Sequence, residues 1–251
     1  MSGPAAPRRP SRVTFHGDSR EDPYAWLKVP NWQEVMREPA LLDPEVRAVL
    51  VAENEHTDAF MKPHEALMST LFDEMRGRIQ EDDATAPAPD GAWAYYVRFE
   101  AGGQHPIHAR CPRLDVDRSR EQVLIHGDRE AVGKPYWKLE AAEHSPDHRF
   151  LAYATDTKGS ELFDLRFRDL DRGADLPDVI PGTHGHFEWA NDGQTVFYTV
   201  LDDHHRPSKV FRHMLGSDIA DDVLVYEEPD PGFFVGVTKT ESGAVHPHRY
   251  P

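Results

Sequence analysis

The chain has 251 residues, enough for one large domain or two modest ones. Its 28 Lys and Arg stand against 44 Asp and Glu, a formal charge of -16 that repels phosphate backbones and anionic headgroups. Nucleic acid and membrane surfaces are therefore excluded as expected partners, and a basic partner is favoured. The single cysteine, Cys111, excludes an intramolecular disulfide and a multi-cysteine zinc site; it reads as a small buried residue in a reducing compartment.

In chain order, residues 1–13 are rich in Pro, Ala, Ser and Arg and are expected as a disordered tail. No apolar run follows the two early arginines and none approaches a membrane span, so a cytoplasmic protein is expected. Residues 14–83 form a helical N-terminal segment, with helix expected from about residue 20. Asp43 before Pro44 is an N-cap with proline at the first helical position. Val46, Val49, Leu50, Ala59 and Phe60 then recur with helical period until Pro63 interrupts. Leu67, Leu71, Met75 and Ile79 mark a second helix, ending near Glu81, Asp82 and Asp83. Such an apolar stripe requires a packing partner, and the chain offers no obvious one. Residues 84–89, ATAPAP, read as a linker.

From Asp90 the pattern changes to alternating aromatic and β-branched residues between Gly, Pro and Asp turns. Three stretches align: Pro89 to Tyr96, Pro146 to Tyr153, and Asn191 to Tyr198. Each is an Asp-containing turn feeding a strand that ends in tyrosine. Their aspartates, Asp90, Asp147 and Asp192, are spaced by 57 and 45 residues, the rhythm of β-propeller blades. The fold class is therefore mainly β with an N-terminal α segment: a partial β-propeller of about three blades over residues 90–243. A jelly roll or sandwich gives strands without such a repeat. Propellers close with about four to eight blades, so this ring cannot close from one chain. Its open blade faces predict poor solubility or oligomerisation in isolation.

Catalytic signatures are missing. None of the ten serines lies in Gly-x-Ser-x-Gly; Ser160 comes nearest but lacks the second glycine and reads as a turn residue. There is no glycine-rich phosphate loop and no His-Glu-x-x-His. Three histidine pairs invite a metal reading: His184 with His186, His204 with His205 beside Asp202 and Asp203, and His246 with His248. Each is short of the three or four converging ligands a metal needs, so no metal and no cofactor is expected. Glu227 and Glu228 read as surface charge.

Several segments together resemble the prolyl oligopeptidase family of serine peptidases, most closely its oligopeptidase B branch. They are His16-Gly17-Asp18, Arg20 to Leu27, Ala52 to Thr57, Glu74 to Ile79, Ser145-Pro146-Asp147, Asp156 to Glu161, Arg206-Pro207-Ser208, His213 to Gly216 and Leu224 to Glu228. The resemblance covers roughly residues 14–243. It implies a two-domain enzyme in which a seven-bladed propeller covers an α/β-hydrolase domain carrying a Ser, Asp and His triad, and admits short peptides. The branch cuts after Arg or Lys, so the full-length enzyme's partners would be short basic peptides. Residues 14–83 match the segment that packs on the hydrolase domain, which explains the unpartnered helical stripe. No triad member and no specificity carboxylate of that domain has a counterpart here, so the chain is expected to be inactive alone, with no catalytic residue. Glu161 is the one candidate for a substrate-gating or domain contact. The alternative is a non-enzymatic, propeller-type protein-binding module, or the complementing half of a split peptidase.

After Gly243, a fourth turn leads into Ala244 to Pro251, a poor strand by composition. Moved by one base, codons for this stretch permit Arg-Phe-Ile-Leu-Ile-Asp-Thr, an alternating strand. Residues 244–251 are thus expected as a frameshifted tail that truncates a longer peptidase. Sequencing the locus tests this: a shifted frame downstream should encode a Gly-x-Ser-x-Gly hydrolase domain, and its absence from every frame contradicts the expectation.

Overall fold

The computed structural model describes residues 3–115 and 117–250, in two units, Met1–Gln80 and Glu81–Pro251. In the first, β1 (Ser11–Phe15) and β2 (Asp18–Asp22) form an antiparallel hairpin. Its two turn residues, His16 and Gly17, both have positive φ, 52° and 85°. A two-residue hairpin turn of this kind needs left-handed backbone, which Gly adopts freely and His more readily than most residues. A 3-10 turn at Ala25–Leu27 precedes α1 (Trp32–Arg37), and α2 (Pro44–Met61) follows. The Asp43 carboxylate caps α2 by accepting from the Glu45 and Val46 amides at 2.8 and 3.2 Å. Around Pro63 the backbone tightens into a 3-10 turn before α3 (Glu65–Arg76).

Three expectations for this unit need correction. Within the expected tail, Pro7 and Arg9 are tied down before β1: the Trp26 indole donates to the Pro7 carbonyl, and Arg9 stacks on Trp26 and pairs with Glu45 at 2.8 Å. Helix does not begin at residue 20, because β2 occupies Asp18–Asp22. Nor does α3 reach Glu81; it stops at Arg76, where the Gly77 amide closes the last turn on the Asp73 carbonyl. Of the expected stripe, Leu67, Leu71 and Met75 lie on α3, and Ile79 falls beyond its end. Leu67, Leu71, Met75 and Ile79 are all exposed.

The second unit opens with a four-stranded antiparallel sheet: β3 (Ala88–Asp90), β4 (Trp93–Arg98), β5 (Ile107–Pro112) and β6 (Gln122–His126). Its β3 occupies part of the expected linker, and Thr85 is also tied to β4, its amide donating to the Val97 carbonyl. After α4 (Gly127–Ala131) come β7 (Lys138–His144), β8 (Phe150–Asp156), β9 (Phe163–Asp169) and β10 (Ala174–Trp189). Then follow β11 (Thr195–Leu201), β12 (Pro207–Met214) and β13 (Val223–Glu227). Strands β7 to β13 hydrogen-bond in chain order as one seven-stranded sheet. Its middle strand serves two blades: β10 pairs with β9 up to Thr183 and with β11 from Thr183 to Trp189. Gly182 and Gly185, at φ 69° and 93°, bend it between the two. Three four-stranded blades result, as the repeat predicts, followed by the hairpin β14 (Phe234–Lys239) and β15 (Val245–Tyr250).

Strand β15 corrects the expectation of a poor strand after Gly243. All six of its residues pair with β14, from Val245 opposite Lys239 to Tyr250 opposite Phe234. Backbone pairing overrides the weak side-chain pattern, and Pro247 is tolerated because β15 is an edge of its two-stranded sheet.

The apolar core lies between blades. Alternate residues of β8 point to opposite faces. Phe150, Ala152 and Ala154 join Phe163, Leu165, Phe167, Phe187, Trp189 and Val196, between the second and third blades. Leu151 and Tyr153 join Leu124, Ile125, Trp137 and Leu170, between the first and second. Val210 meets Val235 and Val237 between the third blade and β14. Cys111 is buried, as expected, with Ala94, Tyr96 and Ala109.

Buried charged groups cross the same seams. Arg168 on β9 binds Asp175 at 2.6 Å and reaches into the first blade, to Glu130 at 3.0 Å and the Leu124 carbonyl at 2.8 Å. His213 on β12 stacks on Phe167 of the second blade and pairs with Asp222 at 2.7 Å. Glu228, expected as surface charge, is buried, accepting from the Tyr226 hydroxyl at 2.7 Å and the Asp230 amide at 3.0 Å. These two donors hold its carboxyl below the usual carboxylate range. Glu227 is exposed.

Removing Arg168, whose side chain is only 16% exposed, takes the shared cation from Glu130 and Asp175 and leaves the Leu124 carbonyl without its donor in the first seam. Arg168→Ala should cost about 3 kcal/mol, lowering the melting midpoint by roughly 6–12 °C. Arg172→Ala, at a 77% exposed side chain, should change it little. Equal midpoints for the two variants would contradict the role given to Arg168.

Candidate functional site

The three aligned sequence stretches meet in space. Asp90 and Gly91 turn β3 into β4, Asp147 lies between β7 and β8, and Asp192 lies between β10 and β11. Asp147 accepts from the Ser145 hydroxyl at 2.5 Å and the Arg149 amide at 3.2 Å; Asp192 accepts from the Gln194 and Thr195 amides at 2.9 and 2.8 Å. These are the local bonds by which Asp builds a turn. Successive turns touch: a Cβ at Gly91 would lie 2.3 Å from His148 Nε2, and one at Gly243 would lie 2.5 Å from Asn191 Nδ2. The turns therefore form an arc along the first strands of the blades.

Four residues before each of the later aspartates stands a glutamate, Glu143 on β7 and Glu188 on β10. Desolvation raises both carboxyls above the usual range, and the charge of Glu188 raises Glu143 further. The Lys239 amide and its ammonium charge partly offset the effect on Glu188. The Trp189 indole donates to the Glu143 carbonyl at 3.0 Å and fixes β7 against β10. Glu143 also lines a 480 Å³ cavity with Tyr95, Tyr96, His108, His144 and Leu151. Burial holds the His108 and His144 imidazoles below the usual histidine range, so this lining is neutral or acidic near pH 7.

The residues singled out in the sequence lie elsewhere. Glu161 is exposed on the turn between β8 and β9, with φ 58°. Its amide donates to Asp156, whose carboxylate also accepts from Lys158 and Gly159. Ser160, in the same turn, is buried. His184 and His186 touch edge to face, their rings 5.7 Å apart, and burial lowers the His184 imidazole. The His204 amide donates to Asp202 in a turn, and His248 stacks on Tyr250 in β15. Among the described residues, one group of His, Cys, Asp and Glu side chains brings three donor atoms together: Asp90, His144 and His148, all within 4.8 Å. Sequence reasoning missed this group and the glutamate pair, although the alignment of the Asp turns already placed Glu143 and Glu188 in register and His148 beside Asp147.

Comparison with known proteins agrees with this architecture. The family described as prolyl oligopeptidase, N-terminal beta-propeller domain, matches residues 4–245. Dipeptidyl aminopeptidase BI of Pseudoxanthomonas mexicana is 38% identical over 239 residues, which are 90% of this chain and 32% of that protein. Protease 2 of Moraxella lacunata is 31% identical, over 97% of this chain and 34% of its own length. Among solved structures, oligopeptidase B from Leishmania major superposes with a TM-score of 0.90 at 26% identity, covering 99% of this chain and 36% of that one. The chain thus spans about a third of the length of the curated relatives it matches. With that match running through the helical segment and the blades alike, the chain belongs to the prolyl oligopeptidase family, in its N-terminal β-propeller region.

Proposed function

We propose that this chain is the N-terminal region of an oligopeptidase B-like serine peptidase that hydrolyses short peptides after Arg or Lys. The observation that carries the reading is the family match over residues 4–245 in a chain spanning a third of its relatives. The chain's own part is the helical brace and the gating blades. In the full enzyme a serine attacks the peptide carbonyl, a histidine takes its proton, and an oxyanion hole stabilises the tetrahedral intermediate. With no Gly-x-Ser-x-Gly of its own, the chain is inactive alone. The charge of -16 and the Glu143–Glu188 pair support a basic substrate, because carboxylates of this kind raise the local concentration of cationic peptides. A second reading, release of dipeptides from a free amino terminus, is favoured by the 38% identity to dipeptidyl aminopeptidase BI.

Fluorogenic substrates separate these readings. The 251-residue chain alone should turn over neither an N-blocked Arg amide nor a free dipeptidyl amide. Mixed with a separately expressed hydrolase portion of a relative, it should restore cleavage of the blocked Arg substrate. Turnover by the chain alone contradicts the proposal, and restored cleavage confined to the free dipeptidyl substrate transfers the reading to the second activity. In the reconstituted enzyme, Glu143→Gln with Glu188→Gln should raise KM for the Arg substrate about threefold at unchanged kcat, the scale of an accessible ion pair.

A further inference from the structure

Asp90, His144 and His148 converge at the seam between the first two blades, and we propose that they bind a divalent late first-row transition ion, with Zn2+ as the reference case. His144 Nε2 lies 3.4 Å from Asp90 Oδ2. Tetrahedral zinc with ligands at about 2.0–2.1 Å requires donor atoms about 3.3 Å apart, so this pair is already at ligand spacing. All three donors lie within 4.8 Å of one another. Asp90 is the most exposed of the three, its side chain 62% exposed against 19% for His144.

Both imidazoles are oriented from behind. His144 Nδ1 lies 3.0 Å from the Ser145 carbonyl, which can only accept, so Nδ1 carries the proton and Nε2 presents its lone pair. His148 Nδ1 lies 2.8 Å from the Tyr95 hydroxyl, leaving its Nε2 on the side of Gly91. A Cβ at residue 91 would lie 2.3 Å from that nitrogen, so glycine is what lets the two turns approach this closely. Tyr95 also stacks on the His144 ring, centroids 4.0 Å apart, so one residue fixes both ligands.

The neighbouring cation does not block the site. Arg110 donates to the His148 carbonyl at 2.6 Å and stacks on Trp93. Two imidazoles and one carboxylate suit zinc and its late neighbours rather than calcium or magnesium, which take oxygen ligands. Three protein ligands leave a fourth position for water. The bound ion would join the first sheet, through Asp90, to the seven-stranded sheet, through the two histidines: a structural clamp in an arc of blades.

Equilibrium dialysis of the untagged 251-residue chain against Zn2+, with metal analysis, tests the site. The expected result is one high-affinity Zn2+ per chain and a melting midpoint that rises with Zn2+. Asp90→Asn and His148→Gln should each weaken uptake at least tenfold and abolish the rise, whereas His204→Gln with His205→Gln should change neither. Tyr95→Phe should weaken uptake about tenfold, the usual effect of losing an orienting partner. No stoichiometric uptake by the unaltered chain, or uptake that survives both Asp90→Asn and His148→Gln, overturns the proposal. The unaltered-chain arm stands even if a variant fails to fold.

Discussion

Each blade of this protein is a sheet with two apolar faces and must be covered from both sides. Strand β8 shows the constraint most clearly, because all seven of its residues are buried. Phe150, Ala152 and Ala154 face the third blade while Leu151 and Tyr153 face the first. A strand buried on both faces has no stable packing in a lone blade, so the fold depends on contact between neighbours. Apolar burial supplies most of that contact, at about 25 cal/mol per Å² removed from water.

Apolar packing alone leaves neighbouring sheets free to slide. The seams are pinned instead by buried polar groups that can be satisfied in one register. Arg168 binds Asp175 in its own blade together with Glu130 and the Leu124 carbonyl of the blade before it. His213, held within the third blade by Asp222 at 2.7 Å, stacks on Phe167 of the second, ring centroids 5.7 Å apart. Beyond the third blade, Arg206 is held by Asp202 at 2.8 Å and donates to the Phe233 carbonyl at 2.7 Å, just before β14. Each pin would be costly unpaired, so it selects a particular placement of the neighbouring blade. The turns and carboxylates of the candidate site inherit their positions from that placement.

Much of this was legible in the sequence because it is local and repeated. The Asp turns, the alternating strands and the Asp43–Pro44 helix start depend on a few neighbouring residues, and each appears where its pattern stands. Most of the errors share one physical origin. Residues 11–13, the 84–89 stretch and 245–250 have compositions that read as tail, linker and weak strand, yet each contains residues that pair with a neighbouring strand. Strand pairing is a property of the partner as much as of the segment. The same holds for Glu228, whose burial comes from Tyr226, Asp230 and the packing around them. The Asp90, His144 and His148 group joins two blades across 58 residues of sequence, so no local spacing rule could reveal it.

The dependence of each blade on its neighbours is tested most directly by native-state amide hydrogen exchange across the chain. Stability varies along a structure with local burial. Exchange should be slowest in β8, β9 and the part of β10 paired with β11, which lie between neighbours, and fastest in the β1–β2 hairpin and the β14–β15 hairpin. Uniform protection, or protection greatest in β14 and β15, would contradict that dependence.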